Sequence, residues 1–270
     1  MTAQTVALGP TSAQQTRGSL FLGFGTIFRK EVAEWVRGRR ALVVAVVMLP
    51  ISVLSTISPF LMPKEEAANA AAAGYIPSWD ATVNVLAGWS GAPFAMIALL
   101  AAMTLMTVER DRGTLGWTLT NPVSRTSVIA AKWSAGLLVY GAVAVILLVV
   151  ASVGAATIAF GELPNLGTVA TFTALYLMVP AFWIGLMIAL GTIVKSTAGV
   201  AGIGLLALFL PTWLASIVPL VGELSPTAVG SWAIASATGQ AASMLTLGGW
   251  IVAMVAIAVF AKVSFDRQEF

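Results

Sequence analysis

Runs of about 20 apolar residues recur six times along this chain, at 41–62, 85–108, 133–160, 169–194, 199–218 and 247–263, with no Asp, Glu, Lys, Arg or His away from their ends. Each is long enough to cross ~30 Å of hydrocarbon as a helix. Lipid offers no partner to a free N–H or C=O, and strand-like alternation is scarce, so continuous helices are the economical reading. Composition agrees: 59% hydrophobic and 9% charged residues, with mean hydropathy +0.94, do not suit a soluble domain of useful size within 270 residues. The expected fold is therefore all-α: a polytopic membrane protein of six transmembrane helices in one domain over 20–270, behind a flexible polar tail over 1–19. Pro50 and Pro59 should kink the first span or end it early.

Charge sets the expected orientation. Six spans place the N-terminus, the loop near 109–132, Lys195 and the C-terminus on one face, and that face holds every Lys and Arg except Lys64. The other face carries Lys64 against Glu65, Glu66, Asp80, Glu162 and Glu223. Basic residues near span ends are retained inside, so both termini are expected in the cytoplasm of a cell whose plasma membrane holds the chain. The stretch 223–244 is interrupted by Pro226, Gly230 and Gly239 and reads as an outer-face hairpin, with a seventh span as the rival. A seventh span would move Lys262 and Arg267 outside, against the charge rule.

Ahead of the first span, Phe21, Phe24, Phe28, Val32, Trp35 and Val36 recur at helical spacing, with Arg29, Lys30, Glu34 and Arg37 on the other side. Residues 20–40 are thus expected to form an amphipathic helix on the inner leaflet, its aromatic face in membrane lipid and its basic face toward anionic headgroups. Gly38 is expected to let the chain turn into the bilayer, with Arg39 and Arg40 as anchors.

The loop over 109–131 concentrates charge in a chain that has little. Glu109, Arg110, Asp111 and Arg112 precede Gly113, where the second helix should break. Leu115, Trp117, Leu119 and Val123 then put apolar side chains on a segment outside the membrane, which suggests either a docking partner or a plain anchoring loop. Asn121 and Pro122 suit the cap and first position of a helix running through Lys132 into the third span.

Several chemistries are disfavoured. Without Cys or His the chain lacks thiol nucleophiles, the usual general base and the usual metal ligands, so no metal site is expected. Proton-coupled carriers place ionisable groups within the membrane, and these spans do not; a sodium-coupled carrier, a membrane-embedded enzyme and an assembly subunit remain as alternatives. Glycines 185, 191, 199, 202 and 204 and tryptophans 183, 213 and 250 are read as ordinary packing or interfacial residues.

In its paired motifs the chain resembles the type-2 ABC exporter permeases. The Lys30–Glu31 step stands ahead of the first span; Glu109, Gly113–Thr114–Leu115, Pro122–Val123–Ser124–Arg125 and Lys132 follow in family order. The resemblance implies that Glu109, Arg110, Gly113, Thr114, Leu115, Leu119, Pro122, Val123, Ser124 and Arg125 form an element that docks a separate cytoplasmic ABC ATPase, expected in two copies. It implies that Phe24, Phe28, Lys30, Glu31, Val32 and Trp35 mark the interfacial helix. Ser225, Pro226 and Trp232 would lie in an outer gate, whose rival is a passive connecting hairpin. A second permease subunit, identical or paralogous, would complete the path. The chain itself carries no G-x-x-x-x-G-K-[ST], and Lys195–Ser196 follows Val194 where that motif needs Gly. It is therefore read as a non-enzymatic transport subunit that binds no cofactor, with ATP and Mg held by the partner; no nucleic acid is implied, and the uncharged path suits a lipophilic or amphiphilic substrate.

Overall fold

The computed structural model describes residues 21–73, 78–89, 92–114 and 123–268, and among these it is helical with no strand. An outlying helix α1 (Phe24–Arg37) leads into α2 (Arg40–Leu61). Two short helices follow, α3 (Lys64–Ala72) and α4 (Ala81–Gly88). Then come α5 (Pro93–Asp111), α6 (Arg125–Phe160), α7 (Leu166–Ile193) and α8 (Thr197–Ala215). The short pair α9 (Pro219–Leu224) and α10 (Val229–Ala237) precedes the last helix, α11 (Met244–Asp266). Six of these, α2, α5, α6, α7, α8 and α11, are long and apolar enough to cross a membrane. The interrupted 223–244 stretch contains only short helices and supplies no seventh span among the described residues.

The first span does not break at its prolines; α2 runs through both Pro50 and Pro59 to Leu61. Pro59 has no N–H to give the carbonyl four residues back, that of Ser55. The Ser58 hydroxyl bonds the Ser55 carbonyl instead, at 2.9 Å. A serine beside the proline thus repairs the helix where lipid cannot.

The second span starts later than its hydropathy suggests. The apolar run over 85–108 is divided between α4, which ends at Gly88, and α5, which opens at Pro93. Asp80 caps α4 by accepting from Thr82 N at 2.7 Å, and Glu162 Oε1 accepts from Ala81 N at 2.8 Å. At the break a tyrosine takes over a freed carbonyl: Tyr176 Oη donates to that of Trp89, just past the end of α4, while Tyr140 Oη donates to the Phe94 carbonyl in the first turn of α5, each at 2.9 Å. Trp89 stacks on Phe94 with ring centroids 4.1 Å apart, and meets Tyr176 edge-on.

The third span begins eight residues before Trp133. Its cap is Ser124, whose hydroxyl accepts from Ser127 N at 3.0 Å, so the helix starts at Arg125 and not at Pro122 as the Asn-Pro step suggests. Residues 141–147 form a π-helical turn within α6. Just beyond it the Ser52 hydroxyl of α2 meets the Leu148 carbonyl and, at 2.6 Å, the Ser152 hydroxyl, to which Trp89 Nε1 also donates.

The centre of the molecule is α7, whose Trp183, Ile184, Met187 and Ile188 are buried. Its neighbours approach where it lacks side chains: a Cβ on Gly185 would strike the Trp133 ring, and one on Gly191 would come within 2.7 Å of Met106. Trp133 Nε1 then donates to the Ala181 carbonyl at 2.9 Å. Of the other tryptophans, Trp250 bonds the Met178 carbonyl and Trp213 is exposed.

Candidate functional site

The charged residues that stand apart in the sequence converge at one end of the helix bundle. Glu31 lies on the buried side of α1, beside Ile27 and Trp35, and this face packs against α6. Lys132 of α6 reaches Glu31 Oε1 at 2.7 Å and Glu109 Oε2 at 2.8 Å. Lys30 of α1 reaches Glu109 Oε1 at 2.6 Å and Glu34 at 3.3 Å. Lys132 and Glu31 are each 2% exposed, whereas Lys30 remains 43% exposed. Three helices are therefore joined by alternating charges, two lysines each bridging carboxylates of more than one segment.

The surroundings bias the ends of this network differently. Burial pushes the Glu31 carboxyl above its ordinary value; the Lys132 ammonium opposes that shift and Glu109 adds to it. For Lys30, partial burial acts to lower the ammonium, but the bond and charge of Glu109, with Glu31 and Glu34, outweigh it and raise it. The carboxylate oxygens of Glu31, Glu34 and Glu109 lie within 4.8 Å of one another, a spacing that could hold a cation, but Lys30 and Lys132 already supply positive charge there.

Both ends of the loop are moored. At its start, Arg110 donates to the Thr192 carbonyl at the end of α7 and to Gln268 Oε1, each at 2.6 Å. Gly113 takes a left-handed φ of 66°, and the Thr114 hydroxyl bonds the Glu109 carbonyl at 3.2 Å. At its end, Ser124 N donates to the Leu22 carbonyl at 3.1 Å, and Val123 packs so close to Gly23 that a Cβ there would collide with it. Arg125 donates to the Phe265 and Asp266 carbonyls at 2.6 and 2.8 Å, at the C-terminal end of α11, with its guanidinium over the Phe265 ring. Leu115, Trp117, Leu119, Asn121 and Pro122 lie outside the described residues.

Of the docking residues expected from sequence, Glu109, Arg110, Thr114, Val123, Ser124 and Arg125 are held in this frame. Lys132, noted only as part of a motif, is its most enclosed charge; a lone Lys entering a long apolar helix was the available signal. The α1 stripe departs from expectation. Trp35 is 1% exposed and faces Gly136 of α6, so it meets protein and not lipid. Phe24 and Phe28 stack with centroids 5.7 Å apart and, with Val32, pack on the core, while Phe21 and Val36 stay exposed. The turn after α1 also differs: Arg39, with φ 59°, is the left-handed residue, and Gly38 is needed because a Cβ would sit 2.6 Å from the Glu34 carbonyl oxygen.

At the opposite end, Ser225 caps the single turn over Pro226–Ala228, accepting from Thr227 N at 3.2 Å. Val229, Gly230 and Ala233 of α10 turn inward, Gly230 toward Tyr176 and Val179 of α7. Trp232 is half-buried, and its Nε1 has no hydrogen-bond partner among the described residues.

Among the described residues, six helices long and apolar enough to span a membrane and a salt-linked loop at one end define a polytopic membrane protein. The family model for the ABC-2 family transporter protein matches residues 25–270, nearly the whole chain, and the chain belongs to that family of ABC transporter permeases. No curated protein matches it.

Proposed function

We propose that this chain is the membrane-spanning subunit of an ATP-driven exporter, paired with a second permease subunit and driven by two copies of a cytoplasmic ABC ATPase. ATP and Mg belong to that partner. Residues 109–125 dock into it, and both termini lie on the same cytoplasmic side. The observation that carries this reading is the mooring of the loop. Glu109 is tied to α1 and α6 through Lys30 and Lys132, while Arg125 is tied to α11. A push on a loop fixed in this way reaches three helices at once, as coupling to a motor requires. The uncharged path between spans suits a lipophilic or amphiphilic substrate.

The test is co-purification with the ATPase expressed alongside. Charge inserted at Leu119 or Val123 is expected to abolish recovery of the ATPase while the chain still inserts in the membrane. Normal recovery and normal coupled ATPase activity in both variants would overturn the reading.

A further inference from the structure

Next to the charged cluster an apolar cleft of about 390 Å³ opens between α2 and α5. Its walls are Val43, Val44 and Val47 on one side and Ile97, Leu100 and Ala101 on the other, with Gly38, Arg40 and Thr104 at the end nearer the cluster. The volume falls within the ~300–1,000 Å³ of ordinary ligand sites. From Arg40 to Val47 the cleft descends roughly 10 Å along the helix, about the inner third of a ~30 Å hydrocarbon core. It joins a smaller polar pocket of about 180 Å³, which shares Arg40 and Thr104 and adds Arg112, Thr114 and the cluster itself.

The charges around that pocket are unequally committed. Glu31 and Glu109 are matched by Lys132 and Lys30, and Glu34 lies 3.3 Å from Lys30. Arg40 and Arg112 both line the pocket, yet neither side chain makes a hydrogen bond or ion pair among the described residues. Arg40 is also the first residue of α2, whose first-turn amides receive no side-chain cap. The helix macrodipole adds positive potential at this point. A half-buried guanidinium without an anion, at the rim of an apolar cleft and beside an uncapped helix start, calls for a ligand with a negative head and a hydrocarbon tail.

We infer that the α2–α5 cleft binds an anionic phospholipid of the inner leaflet, one acyl chain along Val43, Val47, Ile97 and Leu100 and the phosphate between Arg40 and Arg112. The headgroup then rests against the ion network that holds the loop, so lipid charge bears on the coupling element. Orientation apart, the inference is independent of the ATPase-docking proposal, because binding needs no ATPase.

The test uses the full chain in phosphatidylcholine vesicles with a trace of phosphatidylglycerol carrying a diazirine midway along one acyl chain. Irradiation is expected to label residues 43–47 and 97–104 about fivefold more than the matching phosphatidylcholine probe does. Val252 and Val255, exposed on α11, serve as the reference and should label equally with both probes. Arg40→Gln should bring cleft labelling down to the phosphatidylcholine level, and Ala101→Trp should remove it for both probes. Equal labelling by the two headgroups, or labelling unchanged in Arg40→Gln with the α11 reference intact, overturns the inference. So does efficient disulfide formation between two copies of a Val47→Cys chain, which would place a second subunit in the cleft.

Discussion

Lys132 Nζ and Glu31 Oε1 lie 2.7 Å apart, both all but excluded from solvent, although 101 residues separate them in the chain. Burying two charges costs nearly what their attraction returns, so such a pair adds little net stability; its force appears when one partner is removed. Lys132→Met is therefore expected to lose about 3–5 kcal/mol, since the buried Glu31 would lose its bonded cation and keep only the half-exposed Lys30, 3.7 Å away and already bonded to Glu109. Glu31→Leu alone should cost less, because Lys132 keeps Glu109 at 2.8 Å, and the double variant should cost less than the sum, because the carboxylate stranded by Lys132→Met is gone. Thermal unfolding of the four chains in one detergent measures the cycle. Additive losses would mean that the pair is not coupled.

The turn between α1 and α2 makes a second prediction. Arg39 sits at φ 59°, a conformation that L side chains other than Gly, Asn and Asp rarely adopt, while its neighbour Gly38 has an ordinary φ of −71°. Arg39→Gly should raise stability by about 1 kcal/mol by relieving that strain. Gly38→Ala should lower it, because the new Cβ would lie 2.6 Å from the Glu34 carbonyl oxygen. The same unfolding assay reads both, and a gain in the alanine variant would contradict the geometry.

At the break between α4 and α5, the tyrosine hydroxyls can be removed one at a time. Tyr176→Phe leaves the Trp89 carbonyl without its donor, and Tyr140→Phe removes the tie from α6 to the Phe94 carbonyl and leaves the buried ring without its hydrogen bond. Each is expected to cost about 1 kcal/mol, near the upper part of what membrane hydrogen bonds contribute. The Trp89–Phe94 stack should persist, so the loss should come without global rearrangement. Unchanged melting in both variants would show that water or another donor replaces the hydroxyls.

Six spans were legible because lipid demands long apolar helices, and their number does not depend on how they pack. Lys30, Glu31, Glu109 and Lys132 were visible as motif residues, but their meeting was not, since it depends on α1 lying across α6. The same contact hid the fate of Trp35, whose helical spacing with Phe28 matches a lipid-facing stripe as well as a protein-facing one. Hydropathy could not show that Tyr176 satisfies a break near Gly88, nor that Ser58 lets α2 continue past Pro59. In each case a polar side chain from elsewhere, or from the adjacent position, substitutes for a backbone bond, which an apolar average cannot register.

The short helices α9 and α10 yield the last prediction. Their lengths of 6 and 9 residues cover roughly 9 and 14 Å, well short of ~30 Å of hydrocarbon, so they lie over one end of the bundle or dip into it. The inward face of α10 meets Tyr176, which also holds the α4–α5 break, so a shift of α10 would disturb that break through one side chain. If this end moves during transport, Tyr176 is the side chain through which the movement would reach the break. Ser231 is exposed on α10, and the chain contains no cysteine, so Ser231→Cys is a single-site reporter. A membrane-impermeant thiol reagent applied from outside is expected to label it, at a rate that changes when the partner ATPase is trapped with nucleotide. Constant labelling across nucleotide states would reduce this end to a connecting hairpin. Labelling of a cysteine placed at Gln268 by the same reagent from outside would reverse the orientation of the whole chain.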